Sequence, residues 1–270
     1  MQVLCRFPAP PLRPFVDRFW GWRSAPGERV ALPRVLPGTG AEVFFHDAAP
    51  FRAADRDGAL PLPQAHLLCL RSRSLPLLPQ DVPGFVAVRL RAGRFGRLSA
   101  TPLAECVDEP LPVEALWGAA GRALAAQVAE AAGFDARVDL IEAFLLRRLG
   151  CGVPDRLVEA AVDRLYGDPA GTTVARLADA LAVGCRQLER RFLAAEGIAP
   201  AAFRRRVRFQ KTVRRLLLDP GRPLLDAALE QGFHDQPHFC RDCRDLAGRP
   251  PGALLAEIRG ATHFYNTSRR

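Results

Sequence analysis

The sequence predicts an α+β protein, with a β-rich N-terminal domain, a helical connector, and an all-α C-terminal domain in which two helix-turn-helix units are joined by a long helix. Three observations carry that reading. The first hundred or so residues are broken by proline and glycine into short apolar runs. From about Pro112 the chain becomes rich in alanine and leucine, with apolar residues at helical spacing. After Gly171 a pattern of two short helices is written twice. The predicted boundaries are 1–110 for the β-rich domain, 111–153 for the connector, 154–258 for the tandem helical domain and 259–270 for a tail. A chain of 270 residues is long enough for two domains.

In the β-rich region Ala41–His46, His66–Leu70 and Phe85–Leu90 have strand length and are flanked by turn residues. Trp20, Trp22, Phe44 and Phe45 fit either a plain core or the lining of an effector pocket, the core being the commoner arrangement. Asp55/Asp57 and Asp108/Glu109 read as solvent-exposed loop pairs. In the connector, Glu114–Ala132 and Ala136–Leu149 read as helices. The second carries an apolar stripe of Val138, Ile141, Phe144, Leu145 and Leu149. Gly150 to Pro154 breaks the pattern, and a further helix runs from Asp155 to Tyr166 before Gly167-Asp-Pro169.

The tandem region starts with Thr172 and Thr173, both N-cap residue types, ahead of a helical segment over Val174–Val183. After a break at Gly184, Cys185–Leu193 forms the next helix and ends near Gly197. Pro200 opens a long basic helix that Asp219-Pro-Gly221 terminates. Leu224–Phe233 and Gln236–Asp245 then repeat the first pair, ending near Gly248. Ala178 and Ala228 are 50 residues apart, as are Val183 and Phe233, whereas Leu188 and Phe239 are 51 apart, as are Arg190 and Arg241. The second turn is therefore one residue longer. Ala178 and Ala228 supply the small residue needed where two helices cross. Leu188 with Phe192, and Phe239 with Cys243, are spaced to bury. Arg186, Gln187 and Arg190 are left outward in one unit, and Gln236, His238, Arg241 and Arg244 in the other. The N-terminal part of such a helix fits the major groove, where arginine bonds both guanine acceptors and glutamine pairs with adenine. Asp235 is placed to cap the last of these helices.

Residues 155–258 resemble the AraC-type transcription regulators. The likeness rests on Leu177-Ala178, Arg186-Gln-Leu-Glu-Arg-Arg-Phe192, Gly197 followed by Pro200, Gln231-Gly-Phe233, Asp235-Gln-Pro-His-Phe239, and Arg241 with Gly248 and Pro251. It implies two units docked in successive major grooves on one face of double-stranded DNA. The DNA-contacting positions would be Arg186, Gln187, Arg190 and Arg191 in the first unit, and Gln236, His238, Arg241 and Arg244 in the second. Three residues depart from the family pattern: Ala182 where the turn often has glycine, Gly184 where serine often caps, and Cys243 where an aromatic usually packs. Residues 10–150 are similar to the N-terminal domain of one branch of the family. The motifs are Pro11-Leu-Arg-Pro-Phe-Val16, Val35-Leu-Pro-Gly38, Val88-Arg-Leu-Arg-Ala-Gly93 and Leu111-Pro-Val-Glu-Ala-Leu-Trp-Gly118. That resemblance implies small-molecule sensing or dimerisation and names no ligand.

The charge agrees with a polyanionic partner. The net charge is +9; residues 1–150 hold 18 basic and 15 acidic groups, residues 151–270 hold 20 and 14. Residues 198–215 hold Arg204, Arg205, Arg206, Arg208, Lys211, Arg214 and Arg215 with no acid, a pattern that also suits a plain solvated helix face. The sequence has no apolar stretch approaching ~18 residues and no signal-peptide pattern. Its seven cysteines are odd in number and scattered, so the expectation is a cytoplasmic protein without a disulfide framework. Gly-x-Ser-x-Gly, Walker and His-Glu-x-x-His motifs are missing, and neither catalysis nor a cofactor is expected. His234, His238, Cys240 and Cys243 have zinc-ligand chemistry, but helical spacing spreads them over different faces, and no metal is expected. Cys185, at a helix start, fits a redox switch less well than simple substitution. The expected partner is double-stranded DNA, with RNA polymerase and an unknown small-molecule effector as further candidates and a monomer or homodimer as the assembly. Two rivals keep the helices but change the job: a Cys-dependent DNA alkyl-transfer repair protein, and an interaction adaptor that no longer binds DNA.

Overall fold

The structure, a computed structural model, describes residues 2–260 apart from 24–28, 31–33, 56–57, 69–71, 73, 79 and 82–83. Cys69 and Asp57 lie outside the described residues. Ten strands precede nine helices among those described: β1 Gln2–Arg6, β2 Val16–Arg23, β3 Arg29–Val30, β4 Glu42–His46, β5 Arg52–Asp55, β6 Gly58–Pro61, β7 Ala65–Leu68, β8 Gln80–Asp81, β9 Gly84–Leu90 and β10 Leu111–Pro112. The helices are α1 Val113–Glu130, α2 Phe134–Arg148, α3 Arg156–Gly167, α4 Val174–Ala180, α5 Cys185–Glu196, α6 Pro200–Leu218, α7 Leu224–Glu230, α8 Gln236–Ala247 and α9 Pro251–Gly260. The α+β class and the order of layers agree with the sequence reading.

The main sheet has six antiparallel strands in the order β1-β2-β9-β4-β7-β10. Alternation along β4 sends Phe44 and His46 to one face and Val43 and Phe45 to the other, and all four are buried because both faces are covered. Val43, Phe45, Val86 and Val88 share a core with α1 and α2 through Leu116, Trp117, Ile141 and Leu145. On the opposite face Trp20, Trp22, Phe44, Phe51 and Phe85 form one aromatic cluster, with Trp20 and Phe85 edge to face at 5.0 Å. That settles Trp20, Trp22 and Phe44 as packed core, with Phe45 in the core of the other face. Asp55 lies on strand β5 and not in a loop, because it pairs with Gly58 in the β5–β6 hairpin. Asp108 is half-buried and accepts a hydrogen bond from the Ser72 amide at 2.7 Å.

His46 and His66 are stacked in this aromatic cluster, ring centres 5.3 Å apart. His66 Nδ1 meets the Pro63 carbonyl at 2.7 Å, while neither ring nitrogen of His46 has a hydrogen-bond partner among the described residues. Burial, helped by the neighbouring His66, pushes His46 down to about 3, and burial pushes His66 down to about 4.

The core does not stop at the expected boundary near 153. One continuous cluster runs from Phe19 and Val88 through α1 and α2 to Val158, Leu177, Leu188, Phe192 and Phe203. The first helix-turn-helix unit is therefore packed into the N-terminal domain. A second cluster, built on Phe209, Phe233, Phe239, Cys243 and Leu254, belongs to the other unit and, among the described residues, takes only Leu36 from the N-terminal side.

The buried histidines set a pH dependence. Their folded pKa values lie below the unfolded value of roughly 6.5, so their stabilisation is complete above that value and is lost as pH falls toward about 3 and 4. Between pH 7 and pH 5 each should cost about 1–2 kcal/mol of unfolding free energy. Urea denaturation at the two pH values checks this, and the drop should shrink in His46→Leu.

Candidate nucleic-acid interface

Each reading unit is a short helix, a turn and a longer helix. In the first, Thr173 caps α4 by accepting from the Arg176 amide at 3.2 Å, and four residues separate α4 from α5. In the second, five residues separate α7 from α8, as the spacing of the repeat predicts. The crossing points are closed by Ala178 and Ala228, which are 1% and 0% exposed. Leu188, Phe192, Phe239 and Cys243 are all fully buried. Burial pushes the Cys243 thiol up to about 12, and the site takes it as a small apolar residue against Phe233 and Phe239.

The two turns differ where the sequence departs from the family. Ala182 has φ +52°, while Gly232 in the second turn has φ +82°. A left-handed alanine carries a penalty that glycine avoids. Gly232 has a second reason to be glycine, because a Cβ there would stand 2.6 Å from the Ala170 Cα. Gly184 caps α5 without a side-chain bond, whereas Asp235 caps α8 by accepting from the His238 amide at 2.7 Å. That bond holds the Asp235 carboxyl below the usual carboxylate range.

The predicted contact residues fall into three groups. Arg186, Gln187 and Arg190 are exposed on α5, and Gln236, Arg241 and Arg244 are exposed on α8. His238 is half-buried, with its ring edge-on to Phe233 at 5.1 Å and its Nδ1 3.5 Å from the His234 amide. Arg191 turns back into the protein, donating to both oxygens of Asp155 at 2.6 and 2.7 Å. Burial opposes ionisation of Asp155, but the Arg191 hydrogen bonds and the Val158 and Leu157 amides outweigh it and hold the carboxyl low. Asp155 also caps α3, so this pair ties the recognition helix α5 to the start of the domain.

Most of the basic run on α6 is turned onto the protein. Arg204 donates to the Pro169 carbonyl at 2.7 Å, and Lys211 to the Gly167 carbonyl at 3.2 Å while lying over the Tyr166 ring. The anchors lie at the end of α3 and in the loop after it, just before the first unit. Arg208 donates to the Gly232 carbonyl at 3.0 Å and covers the Phe233 ring, in the turn of the second unit. Arg205 reaches α8, donating to Asp242 at 2.7 Å and Asp245 at 2.5 Å. Arg206 is buried, leaving Arg214 and Arg215 exposed at the far end. Helix α6 is thus a brace whose cations hold both units. With 19 residues it is roughly 28 Å long.

Among the described residues no three His, Cys, Asp or Glu side chains come together to hold a metal ion, and no helix is long and apolar enough to cross a membrane. Sequence reasoning missed Glu196, which is 4% exposed at the end of α5. Its signal was present: Leu188, Phe192 and Glu196 are each four apart and share the buried face.

Two exposed recognition helices, each behind a turn and carried by one shared helix, define a tandem helix-turn-helix DNA-binding domain. Residues 177–257 match the family model described as a helix-turn-helix domain, and this C-terminal domain belongs to the AraC type. Among curated protein sequences none matches the chain. Among solved structures, ToxT from Vibrio cholerae aligns over 88% of this chain and 97% of its own, at 12% identity and a TM-score of 0.50. ToxT of Vibrio cholerae O395 bound to (E)-4-(8-methylnaphthalen-1-yl)but-3-enoic acid aligns over the same shares at 12% identity and a TM-score of 0.51. Over the aligned 88% the chain therefore shares the fold of ToxT. A probable AraC family transcriptional regulator from Rhodopseudomonas palustris covers 40% of this chain with 100% of its own, at 29% identity and a TM-score of 0.34.

The brace is testable on the folded chain. Arg205→Ala leaves Asp242, itself 4% exposed, without its cation, and should lower stability by about 1–3 kcal/mol in urea denaturation. Arg214→Ala, at an exposed position of the same helix, should change it by less than about 0.5 kcal/mol. Ala182→Gly, relieving the left-handed alanine, should raise stability by roughly 0.5–1 kcal/mol.

Proposed function

We propose that the protein is a sequence-specific transcriptional regulator that reads successive major grooves of double-stranded DNA with α5 and α8. The observation that carries this reading is the pairing of two exposed, arginine-bearing recognition helices with one braced helix. A brace of roughly 28 Å is of the order of the ~34 Å helical repeat of DNA. Arg186, Gln187 and Arg190 read one half-site; Gln236, Arg241 and Arg244 read the other, with His238 at the edge of the contact. Arg191 supports α5 through Asp155. The shared core of the N-terminal domain and the first unit supports regulation through the N-terminal domain, since a change on one side is felt by the packing of the other.

The alkyl-transfer rival needs an activated cysteine in the N-terminal half. Cys106 is buried there and its thiol is pushed up to about 11, mainly by burial, while Cys5 sits exposed on the edge strand β1. The raised thiol of Cys106 is the opposite of an activated nucleophile.

The test is a fluorescence-anisotropy titration of the full chain with duplexes tiling the DNA upstream of its own gene. One tile should bind well above a scrambled control and weaken steeply with salt. Arg190→Ala and Arg241→Ala should each lose about 1–3 kcal/mol on that tile and relax discrimination in their own half of the site. Equal, weak binding to every duplex would favour the adaptor reading instead.

A further inference from the structure

Where the N-terminal domain meets the first reading unit, packing leaves a cavity of about 160 Å³. Its walls include Phe95, Ser99 and Thr101 from the N-terminal side, Val158 and Glu159 from α3, and Glu196 from α5. The exposed residues Ala100 and Val153 stand at its rim. The volume corresponds to roughly five water molecules' share of liquid, enough for a small organic molecule.

The acids around this cavity are paired except for one. Glu159 accepts from Arg97 at 2.5 and 2.7 Å, Asp163 accepts from Arg94 at 2.6 Å, and Asp155 is held by Arg191. Arg94 also lies 3.8 Å from Glu159, and Arg148 of α2 is turned to the Leu98 carbonyl at 3.4 Å. Glu196 lines the cavity, is almost wholly buried, and has no hydrogen-bond or ion-pair partner among the described residues. Burial above all pushes its carboxyl up to about 7, with Arg94 pulling it down and Glu159 pushing it up. An ionised carboxylate in such a place is costly until a counter-charge arrives. Among the described residues that line the cavity the charged side chains are Asp155, Glu159 and Glu196, and Glu196 is the one with no ion-pair cation of its own.

We propose that this cavity binds a small organic monocation, a primary ammonium or guanidinium compound, whose charge is met by Glu196. Apolar walls at Phe95 and Val158 favour an organic ion over a hard metal cation, which takes six or more oxygen ligands. Occupancy has a direct route to DNA recognition. Glu196 is the last residue of the recognition helix, and Gly197, its left-handed C-cap at φ +71°, packs so closely on the N-terminal domain that a Cβ there would lie 2.8–3.0 Å from Val107 and Ala104. A bound cation draws α3, α5 and the N-terminal domain together around one charge. This consequence rests on the DNA-binding reading; the binding site does not.

The experiment is a chemical-shift titration of the isotope-labelled full chain with ethylammonium chloride and with guanidinium chloride at low millimolar concentration. Potassium chloride at equal ionic strength is the control. At pH 8 the amides of residues 95–101, 156–160 and 194–198 should shift saturably with one of the two organic cations and not with potassium. Affinity should fall at least tenfold in Glu196→Gln, and about tenfold in the unaltered chain on going from pH 8 to pH 6, as the carboxyl takes up its proton. Glu196→Gln should fold well, because the folded-state pKa is raised above the unfolded ~4.5, so the associated stability is lost as pH rises through about 7 and the variant escapes that loss. Equal affinity in Glu196→Gln, or shifts that only follow ionic strength, would overturn the proposal. Anisotropy with the specific duplex, with and without the cation, separates the two readings. Cation binding without any specific duplex would sink the promoter reading alone, and specific DNA binding without saturable cation binding would sink the site alone.

Discussion

The rest of the molecule depends on the attachment of loop carbonyls and helix carboxylates to the cations of α6. Short helix-turn-helix pairs have little core of their own: α4 and α7 are seven residues each. They hold their position only if a larger element supports them. In this chain Arg205 and Arg208 span from α6 to the second unit, while Arg204 and Lys211 span to the segment that leads into the first. A hydrogen bond involving a charged group contributes more than a neutral one, and its direction is fixed by the geometry of the guanidinium. Such ties, together with the apolar contacts of α6, fix the second unit and the lead-in to the first on one helix. The apolar faces of α6 then complete the two cores, Phe203 and Val207 with one, Phe209 and Val213 with the other.

The same economy explains why the DNA-binding half is not a detached module. Its first unit borrows core from the N-terminal domain, and polar contacts secure the rest of the seam. Thr39 donates to Gln210 of α6 at 2.9 Å, Arg34 meets Glu257 of α9 at 3.3 Å, and the Ser74 amide donates to the Leu246 carbonyl at 3.0 Å. Helix α5 itself forms part of the junction, so its packing is shared directly with the N-terminal domain. The paired charges on that seam, and Glu196 unpaired beside them, concentrate its electrostatics at one end of the recognition helix.

How much of this was legible in the sequence varied with the kind of signal. Helical periods, cap residues and the doubled pattern located α3 to α8 within a few residues, including the extra residue of the second turn. The strands β4, β7 and β9 were legible from length and flanking turns, but β1 and β2 were not: Phe7-Pro-Ala-Pro10 and the tryptophan pair mask their alternation. The role of the α6 cations was hidden for another reason. A run of arginines looks the same in sequence whether it faces water, phosphate or a carbonyl, and only tertiary placement of Pro169, Gly232 and Asp242 decides which. Arg191 is the same problem in one residue, next to Arg190 in sequence but turned toward Asp155. Glu196 and His46 are the opposite case, polar residues at positions whose spacing from Phe192 and Phe44 already marked a buried face.

The two reading units differ in what holds them. The first shares a continuous apolar core with the N-terminal domain, while the second meets that domain through Leu36 and a handful of polar contacts. Polar contacts at a seam exchange readily for water, whereas opening an apolar core exposes it. The molecule is therefore built with a fixed hand and a loose one. The looser hold is on the N-terminal domain and not on α6, so the paired units keep their spacing while the N-terminal domain grips the pair by one end.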